Sequence, residues 1–484
     1  MREREEPRAA SFWPLMSAIF LGSFMSGLSS STVTIAIPEL QRHFGAGLPL
    51  IQWTLTGFLL AMGTSAPLTG YLGGRFSFKW LYVASLVGFT LASVLCGVAW
   101  DARSLVAFRI LQGAFCGVMM PATMTLIYQL LPRGQQAMAI GLWSLSTMLA
   151  PALGPAFAGW LITLGNWRWL FFVNVPLGLA AVGLAVRMIP FYRLRIPESF
   201  DLPGLLTVIT STVSLLIAFS QGGSWGWSSG KTVSLIALGA LSLVVFTLRE
   251  LKTGAPLLDL RVLANGRYLV TSIISSIITL NLYSGGFLMP LFLQRVQGVT
   301  PLETGLILLP ASLAMALIMP LVGRLYGTFG PCTLMTVGIL MIAGGNHALS
   351  RLTPEISHTY VLWWMLVRNV GISLSTMPAS NAGMEQIPLE QSGHASAIGN
   401  WLRNVFGAFS IAIFTSLLST FGSREAAALM SQGMTEPRRI ELLAFTAGIN
   451  DVYGVGMVIA LAALPLSLAV RKSPGVIETP VEAR

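Results

Sequence analysis

Three arginines, Arg109, Arg368 and Arg403, stand inside otherwise apolar runs, and those runs contain no Asp or Glu. A charge in hydrocarbon costs a few kcal/mol at least, so intramembrane ionisable residues usually face a cavity and serve binding or charge movement. The structural alternative is an arginine bonded to carbonyl groups, holding helices together. Arg109 is followed by Gln112 and Gly113. The nearest acid is Glu39, just beyond Pro38 and close to Arg42; it is a candidate proton carrier, with a capping or rim role as the alternative. Catalysis finds no support. The four histidines are scattered, and no nucleophile and base recur at a helical spacing. There is no GxxxxGK[ST] loop to hold nucleotide phosphates, so ATP hydrolysis does not drive this chain. Cys96, Cys116 and Cys332 are odd in number, far apart and set in apolar runs, which fits small buried hydrophobes rather than a disulfide framework or metal site.

The elements that must position these residues are set by composition. The 484 residues are 54% hydrophobic and 10% charged, about half the charged fraction of an ordinary soluble domain. The solvent for most of the chain is therefore lipid. The net charge of +10 does not point to nucleic acid, because the basic residues sit in short gaps between apolar runs rather than on a soluble module. Runs long enough to cross a bilayer fall near 13–37, 51–72, 80–100, 105–131, 139–163, 170–186, 204–220, 232–248, 268–293, 304–322, 332–350, 359–382, 395–420 and 452–470. The predicted architecture is an all-α polytopic membrane protein of about fourteen spans. The first run is too long for a signal-peptide core and has no small-residue cleavage site after it. The segments predicted inside hold roughly twice as many Lys and Arg as those outside, which places both termini in the cytoplasm. Trp167, Trp169, Trp225 and Trp227 fall in two predicted outer loops, at the depth where indoles anchor. The longest outer gap, 421–450, is read as a loop, and no soluble domain interrupts the chain.

An internal echo divides the sequence. Pro67-Leu-Thr-Gly70 before Arg75 and Lys79 resembles Pro320-Leu-Val-Gly323 before Arg324, and Arg109-Ile-Leu-Gln-Gly113 is echoed by Arg368-Asn-Val-Gly371. Both recur at an offset of roughly 250 to 260 residues, as in transporters built from structural repeats. The expected organisation is a six-helix half over 1–200, two inserted spans over 201–252 and a second six-helix half over 253–484.

The motifs appear in a specific order. Leu28 to Pro38 lies in span 1, followed by Gly70 to Lys79 and by Arg109-x-x-Gln112-Gly113. Next come Ala150-Pro151-Ala-Leu-Gly154-Pro155-Ala-Phe-Ala-Gly159 and Trp167-Arg-Trp-Leu-Phe-Phe-Val-Asn174-Val-Pro176-Leu-Gly178. Pro256-Leu-Leu-Asp-Leu-Arg261, Leu291-Phe-Leu-Gln294-Arg-Val-Gln-Gly298 and Asn400-x-x-Arg403 complete the set. Over nearly its whole length the chain thus resembles the fourteen-helix drug:proton antiporters of the major facilitator superfamily, the EmrB/QacA branch.

The resemblance implies a major facilitator fold and a multidrug efflux antiporter of the cell membrane, exporting hydrophobic or amphipathic compounds by alternating access, coupled to proton influx. It carries proton coupling onto Arg109, Gln112 and Gly113, and an antiporter motif onto Pro151, Gly154, Pro155 and Gly159. Gly154, Pro155 and Gly159 would thin one helical face and bend it, permitting a close helix contact. A gating loop falls on Gly70, Arg75 and Lys79. Substrate-cavity candidates are Ser29, Thr32, Arg368, Asn400 and Arg403. The implied partners are a small-molecule substrate, protons and the bilayer, with a periplasmic adaptor protein as a further candidate; no cofactor and no nucleic acid are implied. The sequence departs from the pattern at Ser29 and Gly74, where relatives usually carry Asp. A proton-linked carrier of small organic anions is the first rival, suited to an arginine-lined, acid-free cavity. A membrane sensor or scaffold that does not transport is the second.

Overall fold

A computed structural model describes residues 11–191, 201–254, 256–388 and 391–470. Several basic residues that weigh in the orientation count, at 2, 4, 8, 193, 195, 471, 472 and 484, lie outside these segments. The described chain is helical throughout. In order it forms α1 (Phe12–Phe44), α2 (Leu48–Ile51), α3 (Trp53–Ser65), α4 (Leu68–Phe76), α5 (Phe78–Gly97) and α6 (Ala102–Leu130). There follow α7 (Arg133–Thr163), α8 (Trp169–Phe172), α9 (Asn174–Met188), α10 (Leu202–Trp225) and α11 (Gly230–Lys252). The remainder is α12 (Gly266–Arg295), α13 (Pro301–Leu349), α14 (His358–Met384), α15 (Ser392–Ser431), α16 (Pro437–Ala462) and α17 (Leu464–Ala469).

Eleven of these helical stretches are long and apolar enough to span a bilayer, and three local facts bring the number of crossings to fourteen. One span is broken at Pro67 into α3 and α4, since proline cannot continue the backbone hydrogen-bond ladder. Another, α14, contains Arg368 and Asn369, which lower its apolarity. The third fact is that α13 is two spans. Gly330 has φ 74°, a left-handed conformation natural to glycine, and Pro331 follows it. Ser373 of α14 meets Met315, and Met377 lies by Gly323, whereas Gly338 sits by Ser375 and Gly345 by Arg368. The first half of α13 therefore runs parallel to α14 and the second half antiparallel, so the chain reverses at Gly330.

Successive spans alternate between two rims. The near rim carries the start of α1 and the turns at Ser77, at 131–132, at 256–265, at Gly330 and at 385–388; the far rim carries those at 45–47, 98–101, 164–168, 226–229, 296–300, 350–357 and 432–436. Capping boxes start two helices at the far rim: Asp101 with Ser104 before α6, and Thr300 with Glu303 before α13. Each satisfies backbone donors left free by the first turn. The predicted 421–450 loop is corrected by the structure: α15 continues to Ser431 and α16 begins at Pro437. Gly422-Ser-Arg-Glu425 is polar enough to end a hydropathy window, yet the Glu425-Ala-Ala-Ala-Leu-Met that carries the chain on is made of strong helix formers.

Helices α1 to α9 pack mainly on one another, as do α12 to α17. The α10–α11 hairpin lies against α15, where Gly223 N–H donates to Ser416 Oγ at 2.9 Å and Phe219 meets Phe409 edge-on. It also reaches α3, through Gln52 Nε2 donating to Ser220 Oγ at 2.6 Å. Its outer helix exposes Val233, Leu241, Val244 and Leu248, side chains suited to lipid. Because lipid is as apolar as leucine, close backbone packing rather than hydrophobic burial holds such helices together. Gly113 and Gly117 of α6 illustrate this, for a Cβ at either would strike the carbonyl oxygens of Phe58 or Met62 in α3.

Candidate functional site

In the N-terminal group of helices, Arg109 is fully buried and wholly committed to neutral partners. Its Nε donates to Thr54 O at 2.9 Å, and Nη1 donates to Ser29 Oγ at 2.9 Å and Gln112 Oε1 at 2.5 Å. Nη2 reaches Ser29 O at 3.3 Å. The guanidinium carbon stands 4.2 Å from the centroid of Phe58, a cation–π geometry. Gln112 in turn donates to Ser93 Oγ on α5. One side chain thus ties α1, α3 and α6 together, and Gln112 extends the network to α5. Hydrogen bonds to a charged group contribute about 1.5–3 kcal/mol each, which offsets the several kcal/mol of desolvating the ion.

The C-terminal group repeats this design. Arg368 on α14 is buried; its Nε donates to Asn346 Oδ1 at 2.8 Å, and Nη2 donates to Asn281 O and, at 3.4 Å, to Ser284 Oγ. Asn346 donates to Asn281 Oδ1 at 2.7 Å. The correspondence is positional: Arg368 matches Arg109, Ser284 matches Ser29, and Asn346 matches Ser93, each at the repeat spacing of roughly 250 to 260 residues. Gly285 leaves room for the guanidinium, whose carbon would lie 2.5 Å from a Cβ there. Arg368, expected to line the cavity, is instead sequestered inside its own helix group in this conformation.

Arg403 behaves differently. It sits in the first third of α15, surrounded by protein yet reached by solvent, and no described acid forms an ion pair with it. One turn on, Gly407 packs against the Tyr283 ring of α12, whose Cε2 would lie 2.8 Å from a Cβ there. Ser396 is exposed and Gly399 and Asn400 half-buried along the same stretch of helix, giving a polar stripe that ends in a free guanidinium. Thr32 is buried in α1 with its hydroxyl unpartnered.

The two helix groups meet at a glycine seam. A Cβ at Gly159 of α7 would lie 2.5 Å from Leu302 Cα, and one at Gly305 of α13 would lie 2.7 Å from Ala156 Cα. Each helix thus presents a glycine to the other's backbone. Within the N-terminal group, Gly154 of α7 gives room to the Ser31 side chain of α1, and Pro151 and Pro155 lie within α7. The seam lies toward the far rim, where Gln294 Nε2 also donates to Ile35 O at 3.0 Å. Halfway along the bundle, Gly63 of α3 approaches Asn404 of α15. Toward the near rim, α4 packs on α5 and α6 of its own group, while Glu385 accepts from Arg267 at 2.8 Å and from Tyr326, within the other.

The remaining predicted residues lie at the rims. Glu39 is half-buried and pairs with the exposed Arg42 at 3.1 Å, toward the far rim. At the near rim Gly70 and Arg75 are exposed, Arg75 lies 3.4 Å from the Tyr71 hydroxyl, Lys79 stands over Trp80, and Gly74 is buried.

A family model described as Major Facilitator Superfamily matches residues 19–411. The chain belongs to that superfamily. It is a multi-span membrane transporter of small molecules and not an enzyme. The transporter is 32% identical to an uncharacterized MFS-type transporter of Bacillus subtilis over 86% of its own length and 78% of the relative's. It is 28% identical to the tetracenomycin C resistance and export protein of Streptomyces glaucescens (95% and 92% covered) and 26% identical to the fatty acid resistance protein FarB of Neisseria gonorrhoeae (95% and 96%). A bacterial homolog of the human lysosomal transporter Spinster, in an inward-facing and unoccupied conformation, superposes with TM-score 0.67 at 16% identity, covering 95% of this chain and 98% of that one.

Sequence reasoning missed the partners of the transporter's buried arginines. Asn281, Ser284 and Asn346 are common polar residues without periodicity, and the repeat offset applied to Ser29 and Ser93 was the signal that could have found them. Gly305, partner of the antiporter motif, could have been found by seeking a glycine opposite Gly159. Sequence reasoning also passed over Glu250, which lies two residues past the end of the apolar run: α11 extends to Lys252 and carries it fully buried.

Proposed function

We propose that this transporter exports hydrophobic and amphipathic small molecules, drugs among them, by alternating access coupled to proton entry. The observation that carries the reading is the glycine seam, which joins the two helix groups toward the far rim, while the near-rim ties described above, α4 on α5 and α6 and Glu385 with Arg267 and Tyr326, lie within one group each. The near rim is assigned to the cytoplasm by the chain-wide excess of Lys and Arg. The conformation is then open to the inside, ready to load from the cytoplasm and cytoplasmic leaflet, and the resistance and export functions named for relatives support that direction.

The substrate class follows from Arg403. A permanent cation beside Arg403, which no carboxylate among the described residues pairs with, goes unpaired in a low-dielectric cavity at a cost of several kcal/mol. Neutral amphipaths carry no such cost, and a carboxylate finds a partner. We therefore assign a preference for neutral and weakly acidic lipophiles over quaternary ammonium compounds; the fatty acid resistance named for one relative agrees with this. Arg403 also favours a second reading, a proton-linked carrier of small organic anions, from which export is distinguished by the direction of movement. The test is growth of cells with and without the protein on toxic neutral, acidic and quaternary ammonium compounds. Protection against the first two classes is expected. Efficient export of a permanent dication, surviving Glu39→Gln, would overturn the preference.

A further inference from the structure

Glu250 in the last turn of α11 and Asp201 at the start of α10 are the buried carboxyls among the described residues. Half of each is accounted for. Asp201 Oδ1 accepts from Gly204 N–H at 2.9 Å and from Arg249 Nε at 2.7 Å. Glu250 Oε2 accepts from Leu258 N–H at 2.9 Å. The other two oxygens, Asp201 Oδ2 and Glu250 Oε1, are buried and have no partner. They flank the same point, since a Cβ at Gly204 would strike Asp201 Oδ2 and lie 2.7 Å from Glu250 Oε1.

An ionised carboxylate is an acceptor only, so two of them leave both facing oxygens unsatisfied, and each buried orphan costs about 1–3 kcal/mol. One proton on Glu250 Oε1 turns that oxygen into a donor to Asp201 Oδ2 and satisfies both. We propose that Asp201 and Glu250 form a proton-binding site that holds one shared proton and thereby fastens the α10–α11 hairpin to the segment leading into α12. Among the described residues, surrounding cations do not replace that proton. Arg249 is committed to Asp201, and Arg261 donates to Leu251 O and Thr253 O and lies 4.0 Å from Asp259. Arg267 pairs with Glu385, Tyr268 donates to Ala395 O, and Lys252 and His394 are exposed. The element fastened is consequential. Leu258, held by Glu250, packs with Val208 and Phe246 of the hairpin, Tyr268 of α12 and Ala395 and Ile398 of α15, at the near rim. Loss of the proton places two carboxylates side by side and loosens the Leu258 tie. This site is independent of substrate and transport direction.

The experiment is infrared difference spectroscopy of the full chain in lipid nanodiscs, titrated between about pH 5 and pH 9, with the thermal midpoint measured in parallel. The expected result is a buried carboxylic-acid carbonyl band that disappears as pH rises, with the loss of one proton per chain. The midpoint should fall over the same interval, because stability held by a bound proton is lost as pH rises through its release. Glu250→Gln keeps a donor to Asp201 Oδ2 and an acceptor for Leu258, so it should lack the band and show a flat profile. Asp201→Asn should also abolish the band, and serves if the first variant does not insert. A wild-type chain without a titrating carboxyl band, or a band that survives both substitutions, overturns the proposal.

Discussion

Replacing Gly159 by alanine should push the transporter out of the conformation seen here. The added Cβ would lie 2.5 Å from Leu302 Cα and close to Pro301 O. Both are backbone atoms, so no side chain can turn aside, and ordinary contact requires the helices to part by about 1 Å. Overpacking of this kind costs about 1–3 kcal/mol. The cost falls only on the state in which the seam is closed, so the balance between states shifts by roughly 5- to 150-fold. The assay is the distance between spin labels at Ala46 and Gln432, in far-rim turns of the two helix groups, on a background lacking Cys96, Cys116 and Cys332. Gly159→Ala should move the population toward longer distances and lower the transport rate. Gly141→Ala is the control, on the same helix but with nothing within 4 Å of the new methyl group. An unchanged distribution and normal transport for Gly159→Ala would refute the gate assigned to the seam.

Arg109→Ala should abolish transport in protein that still inserts, and Arg109→Lys should lose about tenfold or more, since an ammonium cannot serve Ser29, Thr54 and Gln112 together; uptake into inverted vesicles is the measurement. Arg403→Gln should depress export of carboxylate amphipaths more than of neutral ones, read as the ratio of the two rates. The Asp101 carboxyl is held below its ordinary range by the Ser104 backbone N–H, then by the Ser104 hydroxyl. Its cap therefore stabilises α6 above the ordinary aspartate pKa and is lost as pH falls through the lower folded value, so Asp101→Asn should flatten the acid limb of thermal stability against pH.

The span count was legible because each crossing needs an apolar run, and Arg109 and Arg368 were legible as charges where lipid should exclude them. Their surroundings were not. At Ser29, where relatives carry Asp, the sequence reads as a lost cavity carboxylate. In the structure the Ser29 hydroxyl instead accepts from Arg109 inside the helix group, so Ser29→Asp would give that arginine an ion-pair partner rather than rebuild a cation site. Sequence could not show this, because only packing decides which way a residue on α1 faces. Arg403 and Arg368 look alike in sequence, yet one meets solvent and the other a cage of amides and carbonyls. Glu250 escaped notice because a hydropathy window ends where apolarity ends, whereas the helix runs on until its backbone is capped.

Transport by purified protein in sealed vesicles, with an imposed pH gradient and a fluorescent lipophilic weak acid inside, tests the account most directly. It predicts that dye leaves through the far rim while protons enter, that dissipating the gradient with a protonophore stops net movement, and that Arg109→Ala vesicles show neither flux. Movement of dye down its own gradient at the same rate with and without the proton gradient would contradict it.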